Sequence, residues 1–172
     1  TYVSIKHFAN NPKDKNQVNQ EANDLLDKID DKLPKQFGSS VKYILGELSA
    51  NIDDHSQFTF ASLMAQYYPH KEYLDIAVFD NGITIPFLFE KNDIKFKEDS
   101  EAIIKAISGE VTTKKNEEMR GYGLKSCKEI AVEEINGELY IISRNGAIII
   151  ESKKKPQLYD FDNIGLKGSF LY

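Results

Sequence analysis

The sequence contains no tryptophan, two methionines and a single cysteine, Cys127, among its 172 residues. One thiol excludes an internal disulfide and suits a reducing compartment, so we expect a cytoplasmic protein. No apolar run approaches the roughly 20 residues that span a bilayer, and no signal-peptide pattern is present. The net charge of −5 argues against a surface built chiefly for direct nucleic-acid binding. A chain of this length fits one domain with its own core.

Helix and strand patterns alternate without the regular rhythm of repeated βαβ units. Apolar residues recur at helical spacing in residues 18–33 and 41–52. Several segments alternate or run apolar as strands do, namely 2–8, 57–68, 73–79, 139–143, 147–151 and 168–172. Asn145-Gly146 predicts a hairpin. This order predicts an α+β fold, a two-layer α/β sandwich whose mixed, mostly antiparallel sheet carries helices on one face.

One long segment, residues 83–119, has a mixed composition. It predicts a short helix near residues 100–107 that is closed by Gly109. The remainder resembles a mobile loop, and long loops are often functional lids.

Three polar residues, Glu47, Asn51 and His55, are spaced four apart on one predicted helix and therefore share a face. The amide oxygen of Asn51 is a hard ligand suited to Mg²⁺, which takes the rest of its shell from water and substrate phosphates. From one turn earlier, Glu47 can orient or deprotonate a water molecule. The alternative interpretation is a solvated polar helix face.

A second motif, Asp80-Asn81-Gly82, follows the apolar strand at residues 73–79. A carboxylate at a strand end can accept a hydrogen bond from the exocyclic amino group of adenine. Gly82 would let the backbone approach the base closely. The same tripeptide is also an ordinary turn sequence, so this alternative stays open.

A third motif is a glycine-containing loop that runs into an amphipathic helix at residues 120–131. Such a loop can turn its amide groups towards a phosphate, with the helix start adding a positive dipole end. The pattern is neither a dinucleotide fingerprint nor a Walker loop, and a plain loop before a helix is the alternative. The candidate phosphate-binding residues are Thr113, Lys114, Arg120, Gly121, Tyr122, Gly123 and Leu124.

The order and spacing of these motifs resemble the GHKL superfamily of ATP-binding domains, which includes histidine kinases and the gyrase B subunit. The resemblance covers about residues 37–172, and Gly168-Ser169 is similar to the Gly-Thr of the family's last strand. It implies the Bergerat fold, a lid at about residues 84–119, and Ser169 as a helper of Asp80 in holding adenine. Residues 1–36 would then be a capping or dimerisation element.

The resemblance implies ATP and Mg²⁺ as ligands, with Glu47 catalytic, Asn51 on the metal, and Asp80 and Gly82 at the base. It predicts an ATPase or a protein kinase whose partner is a protein substrate or an adjoining domain, and it leaves homodimerisation open. The alternative is a nucleotide-sensing module that binds ATP with little turnover. Thr84, which stands where the family usually has a second glycine, favours this alternative.

Overall fold

The computed structural model describes residues 2–11, 13–14, 16–28, 33–109 and 123–172. Its strands are β1 Tyr2–Ala9, β2 Phe60–Tyr68, β3 Tyr73–Asp80, β4 Glu138–Arg144, β5 Gly146–Glu151, β6 Gln157–Asp160 and β7 Leu166–Leu171. Its α-helices are α1 Gln17–Asp27, α2 Lys35–Asn51, α3 Ile85–Lys91, α4 Asp99–Ser108 and α5 Gly123–Lys128. Short π-helical turns extend α2 over Ile52–Ser56 and α5 over Glu129–Glu134. The fold is α+β, as predicted.

All seven described strands belong to one open sheet, in the order β1-β2-β3-β7-β4-β5-β6. Every neighbouring pair among them is antiparallel. The prediction of a mostly antiparallel sheet is therefore confirmed, but the parallel pairing that a mixed sheet requires is not found among the described strands. The predicted hairpin at Asn145-Gly146 is confirmed, because β4 pairs with β5 directly across it. The last strand, β7, lies between β3 and β4. It therefore brings together the ends of strands that are far apart in the sequence.

The amphipathic helix predicted at residues 41–52 is confirmed within α2 and the first residue of its π-helical extension. All five residues of its predicted apolar stripe are buried, namely Val41, Ile44, Leu45, Leu48 and Ile52. They join one apolar cluster with residues of α1, α4, α5 and the central strands. On β2 and β4 alternate residues are buried, as expected when one face of a sheet carries the helices. This arrangement is consistent with the predicted sandwich.

The segment predicted as a mobile loop contains a helix that the sequence analysis missed. α3 begins after Thr84, whose hydroxyl oxygen accepts a hydrogen bond from the Phe87 amide at 3.2 Å. Pro86 lies in the first turn, where its missing amide hydrogen costs nothing. The second helix, α4, is confirmed, and Gly109 closes it with a φ of 73°. Residues 110–119 of the predicted lid lie outside the described residues.

The described part of residues 1–36 packs on the remainder of the chain. β1 pairs with β2 along its length, and α1 contributes Val18 and Leu25 to the common core. The carboxylate of Asp53 accepts the amides of Val18 and Asn19, both at 3.3 Å. Asp53 thus caps α1 from the π-helical turn after α2. Across the described residues, we find no helix that combines the length and the apolar character needed to cross a bilayer.

Candidate functional site

The helix-facing side of the sheet changes from apolar to polar between two successive rows of paired residues. One row is apolar and consists of Leu63, Val78, Leu171, Ile141, Ile148 and Leu158. The next row on the same face consists of Ala61, Asp80, Ser169, Ser143, Gly146 and Asp160. We call this second set the polar row. Its carboxylates and hydroxyls provide hydrogen-bonding groups on this face, and α4 lies against one end of it, where the Ser100 amide donates to Asp160 at 2.9 Å.

Asp80 belongs to this row, lies at the end of β3 and is 4% exposed. Its Oδ1 atom accepts a hydrogen bond from the Gly82 amide at 2.8 Å. Burial raises the pKa of Asp80 to about 6, although the amides of Gly82 and Ser169 and the hydroxyl of Ser56 pull it down. These neighbouring groups do not fully replace the lost hydration of the carboxylate. Asp80 is therefore a buried acceptor near the midpoint of its titration at slightly acidic pH.

Ser56, which the sequence analysis missed, lies against the Asp80-Asn81-Gly82 turn. Its carbonyl accepts the Ile83 amide at 2.5 Å, and a Cβ atom on Gly82 would overlap that carbonyl. The close approach explains why a glycine stands at position 82. The Ser56 hydroxyl is buried and lowers the pKa of Asp80 by its proximity, yet it has no partner at hydrogen-bonding geometry. It is thus an unsatisfied polar group beside the carboxylate.

Asn51 and Glu47 lie on α2, one turn apart, as predicted. Asn51 is the last residue of α2, and the π-helical turn that follows it ends at Ser56, beside Asp80. The amide nitrogen of Asn51 is buried and has no hydrogen-bond partner among the described residues. Its side chain is thus a candidate for contact with a ligand. The side chain of His55 lies outside the description.

The carboxylate of Glu47 is directed at the start of α5. A Cβ atom on Gly123 would collide with its Oε2 atom, so a glycine at this position lets the carboxylate approach the backbone. Burial, and secondarily the charge of Glu47, raise the pKa of the Cys127 thiol to about 12. α2 and α5 therefore pack closely. Glu47 faces Gly123, which is the first described residue of the predicted phosphate loop and its helix.

Ser169 and Ser143 are neighbours on adjacent strands of the polar row, and both are buried. Their hydroxyl oxygens are 2.9 Å apart, and the Ile85 amide donates to the Ser143 hydroxyl at 2.9 Å. The sequence analysis found Ser169 through its motif but missed Ser143. A single serine in an apolar strand has no local signal, although its position beside the Asn145-Gly146 turn places it at a strand end.

Most of the predicted phosphate-binding residues cannot be placed. Thr113, Lys114, Arg120, Gly121 and Tyr122 lie outside the described residues. Gly123 opens α5, and Leu124 is half-buried against the apolar cluster rather than directed at the polar row. Within the described part of the chain, no group of three or more histidine, cysteine, aspartate or glutamate side chains is placed to hold a metal ion.

A cleft of about 740 Å³ lies beside Arg144, and none of the predicted site residues lines it. Arg144 donates to Asp99 from its Nε atom at 2.8 Å and to Glu90 from its Nη1 atom at 2.8 Å. Burial by itself raises the pKa of Asp99, but the hydrogen bonds from Arg144 and the Asn145 amide bring it below its usual value. These groups already satisfy one another, so we place the candidate site at Asp80 and not in this cleft.

No protein-family model and no curated protein matches this chain.

The elevated pKa of Asp80 predicts a pH dependence of stability. Between the unfolded pKa of 3.8 and the folded pKa of about 6, the folded state holds a proton that the unfolded state has lost, so stability falls as pH rises. Two pKa units correspond to about 3 kcal/mol. We expect the unfolding free energy of the wild type, relative to Asp80→Asn, to decline by about this amount between pH 4 and pH 7. Urea titrations measure it, and a pH-independent difference would contradict the assignment.

Gly168 predicts a second effect on stability. It has a φ of 85°, and a Cβ atom there would overlap the backbone carbonyl of Asp80. We expect Gly168→Ala to lower the unfolding free energy by more than about 2 kcal/mol, from strain and overlap together. Gly165→Ala is the matched control, because Gly165 has a φ of 56° but open space around its Cβ position. If urea denaturation gave the same loss of unfolding free energy for both variants, the positive φ angle alone would explain the two losses, without the overlap with Asp80.

Proposed function

We propose that this chain is a Mg²⁺-ATP-binding domain of the GHKL type, which hydrolyses ATP or transfers its γ-phosphate to a protein partner. One observation carries the proposal, namely the buried Asp80 carboxylate beside Ser169, set in a polar row at the helix-facing edge of the core. A buried carboxylate without a cationic partner is costly, and such groups are concentrated at functional sites. Adenine would supply a further donor to the carboxylate.

In this proposal each element contributes one function. Asp80 accepts a hydrogen bond from the amino group of adenine, and Gly82 lets the backbone approach the base closely. Asn51 offers an amide oxygen to the ion, which neutralises charge on the phosphates when bound. Glu47 orients or deprotonates the attacking water or hydroxyl group, from a position that faces the start of α5. Thr113, Lys114 and Arg120 to Tyr122 would contact the phosphates.

A second candidate function, nucleotide sensing with little turnover, has its own support at Thr84. Where the resemblance leads one to expect a flexible glycine, Thr84 is buried and caps α3, and the next amide is bonded to Ser143. This start of the predicted lid is thus fixed by two hydrogen bonds. A lid fixed at its root closes less readily over the γ-phosphate, and closure is what completes many phosphoryl-transfer sites.

Calorimetric titration with Mg²⁺-ATP tests binding. We expect a dissociation constant on the order of micromolar to sub-millimolar, equivalent to about −8 to −5 kcal/mol. Asp80→Asn should weaken binding roughly tenfold or more, because the amide cannot offer two acceptor oxygens to the base and the Gly82 amide together. The same variant should be at least as stable as the wild type at pH 7, since it removes a buried charge.

That combination of lost affinity and retained stability separates function from structure. No heat at millimolar ATP would reject both candidate functions. A lower melting temperature for Asp80→Asn with unchanged affinity would show instead that the carboxylate is structural. Asp162→Asn is a suitable control, because Asp162 is exposed and does not belong to the polar row.

Turnover distinguishes the two candidate functions. If Glu47 is the general base, Glu47→Gln should bind Mg²⁺-ATP normally and lose roughly 10² to 10⁴-fold in phosphate release. Gly123→Ala should also reduce turnover, since its methyl group would displace the Glu47 carboxylate. Glu134→Gln, on an exposed residue, serves as the control. Wild-type turnover in Glu47→Gln would exclude this role, and binding without turnover in the unmodified protein would favour the sensing module.

A further inference from the structure

We propose that two copies of this chain associate through β6, whose outer edges pair antiparallel about a two-fold axis. Among the described strands β6 is the last in the sheet, and no other described strand pairs with its outer edge. Amide and carbonyl groups on such an edge can pair with another chain. The association does not depend on nucleotide binding, because β7, β4 and β5 separate β6 from the strand that carries Asp80.

The hydrogen bonds of β6 show which of its backbone groups face outward. The Phe161 amide donates to the Asn145 carbonyl at 2.9 Å, on the side of β5. Backbone polar groups alternate in direction from one residue of a strand to the next, so those of Leu158 and Asp160 point away from β5. All residues of β6 are exposed. This edge therefore offers both donors and acceptors to a partner strand.

A cluster of exposed apolar side chains accompanies this edge. Four large side chains within residues 158–164 are each 40% to 54% exposed, namely Leu158, Tyr159, Phe161 and Ile164. The rings of Tyr159 and Phe161 are stacked, with their centroids 6.4 Å apart. Single exposed apolar residues are common on protein surfaces, whereas a contiguous group of them marks an interaction site.

Charge selects a second copy of this chain as the partner. Exposed lysines occupy residues 153–155, in the turn before β6, whereas the exposed Asp160 and Asp162 lie at the end of the strand and just beyond it. Antiparallel pairing of two identical strands brings the start of each strand beside the end of the other. The lysines of one copy thus meet the aspartates of its partner, and the contact occurs twice. A partner strand of uniform charge would match only one end of β6.

The side chains favour one register over its neighbours. With Asp160 on the two-fold axis, two carboxylates would lie directly opposite each other, and like charges at this position destabilise a strand pair. With Tyr159 on the axis, Leu158 would face the carboxylate of Asp160. With Leu158 on the axis, the two leucines face each other and Lys154 faces Asp162. We therefore assign the axis to Leu158.

The same segment limits the assembly to a pair. Pro156 precedes β6 and has no amide hydrogen, and proline and lysine on an edge discourage pairing in other registers. A two-fold axis uses this edge once in each copy, so the contact closes on itself.

The helical layer leaves room for this pair. Among the strands, α4 packs chiefly on β5. Three strand spacings would separate the two copies of β5, which is about 14 Å, whereas packed helices need only about 8–10 Å. The two copies of α4 therefore do not collide on the shared face of the sheet.

Sedimentation equilibrium of the full chain tests the association. We expect a reversible equilibrium between monomer and dimer, with a dissociation constant on the order of 10 to 100 µM, in the range of small, transient interfaces. Monomer mass alone at roughly 1 mM protein would overturn the proposal. Assemblies that continue to grow beyond two copies would overturn it as well, because a two-fold contact cannot propagate.

Exchanging charges tests the identity of the partner and the direction of pairing. Asp162→Lys and Lys154→Glu each place like charges opposite each other, so each variant alone should dimerise roughly 3- to 10-fold more weakly. An equimolar mixture of the two variants restores both contacts between opposite charges and should associate as the wild type does. Lys71→Glu, in the exposed turn between β2 and β3, is the control and should change nothing.

These variants lie on the surface, and thermal melting of each one checks that it is folded. Unchanged dimerisation of both single variants would overturn the proposal. A mixture that associates no better than the single variants would overturn the antiparallel arrangement and the proposal with it.

A cysteine on the axis tests the register. In the assigned register the two Cα atoms of residue 158 would lie about 5.5 Å apart, within the reach of a disulfide, and the native Cys127 is buried. Copper-catalysed air oxidation of Leu158→Cys should give a covalent dimer. Ile164→Cys, at a similarly exposed position outside the strand, should remain monomeric on a non-reducing gel. Equal crosslinking of the two variants, or none in Leu158→Cys, would contradict pairing at Leu158.

Discussion

The candidate site is built around one buried carboxylate at the end of β3, on the helix-facing side of the sheet. Asp80 lies in the row of the sheet next to the apolar row that contains Val78. Burial at this position disfavours the charged form of its carboxyl group. Gly82, Ser56 and Ser169 surround it with small groups or donors. A protein that needed only stability could place an apolar side chain here. Buried carboxylates of this kind are concentrated at functional sites, which makes Asp80 the centre of the candidate site.

The two halves of the candidate site come from different layers and are joined by one short turn. α2 presents Glu47 and Asn51, while β3 presents Asp80, and the π-helical turn at Ile52–Ser56 leads from the first group to the second. That same turn caps α1 through Asp53. The N-terminal segment is thus coupled to the position of the site, even though none of its side chains lies in the polar row.

Local signals explain which parts of the fold could be predicted. The stripe on α2, the Asn145-Gly146 hairpin and the closure of α4 at Gly109 each follow from short-range chemistry, and all three are confirmed. The insertion of β7 between β3 and β4 has no local signal, because strand order depends on the whole chain. Ser143 and Ser56 were missed for a similar reason. Ser143 lies beside Ser169 only because of the strand order, and Ser56 lies beside Asp80 only because of the turn after α2. α3 was missed although Thr84 and Pro86 supply a cap and a first-turn proline.

The thiol buried between α2 and α5 has a practical consequence for measurements on this molecule. With a pKa of about 12, Cys127 carries almost no thiolate at neutral pH, and thiolate is the form that reacts with maleimides. It is also the one cysteine in the sequence. A cysteine introduced on an exposed strand such as β6 can accordingly be labelled with a fluorophore in the otherwise native protein, without first replacing Cys127.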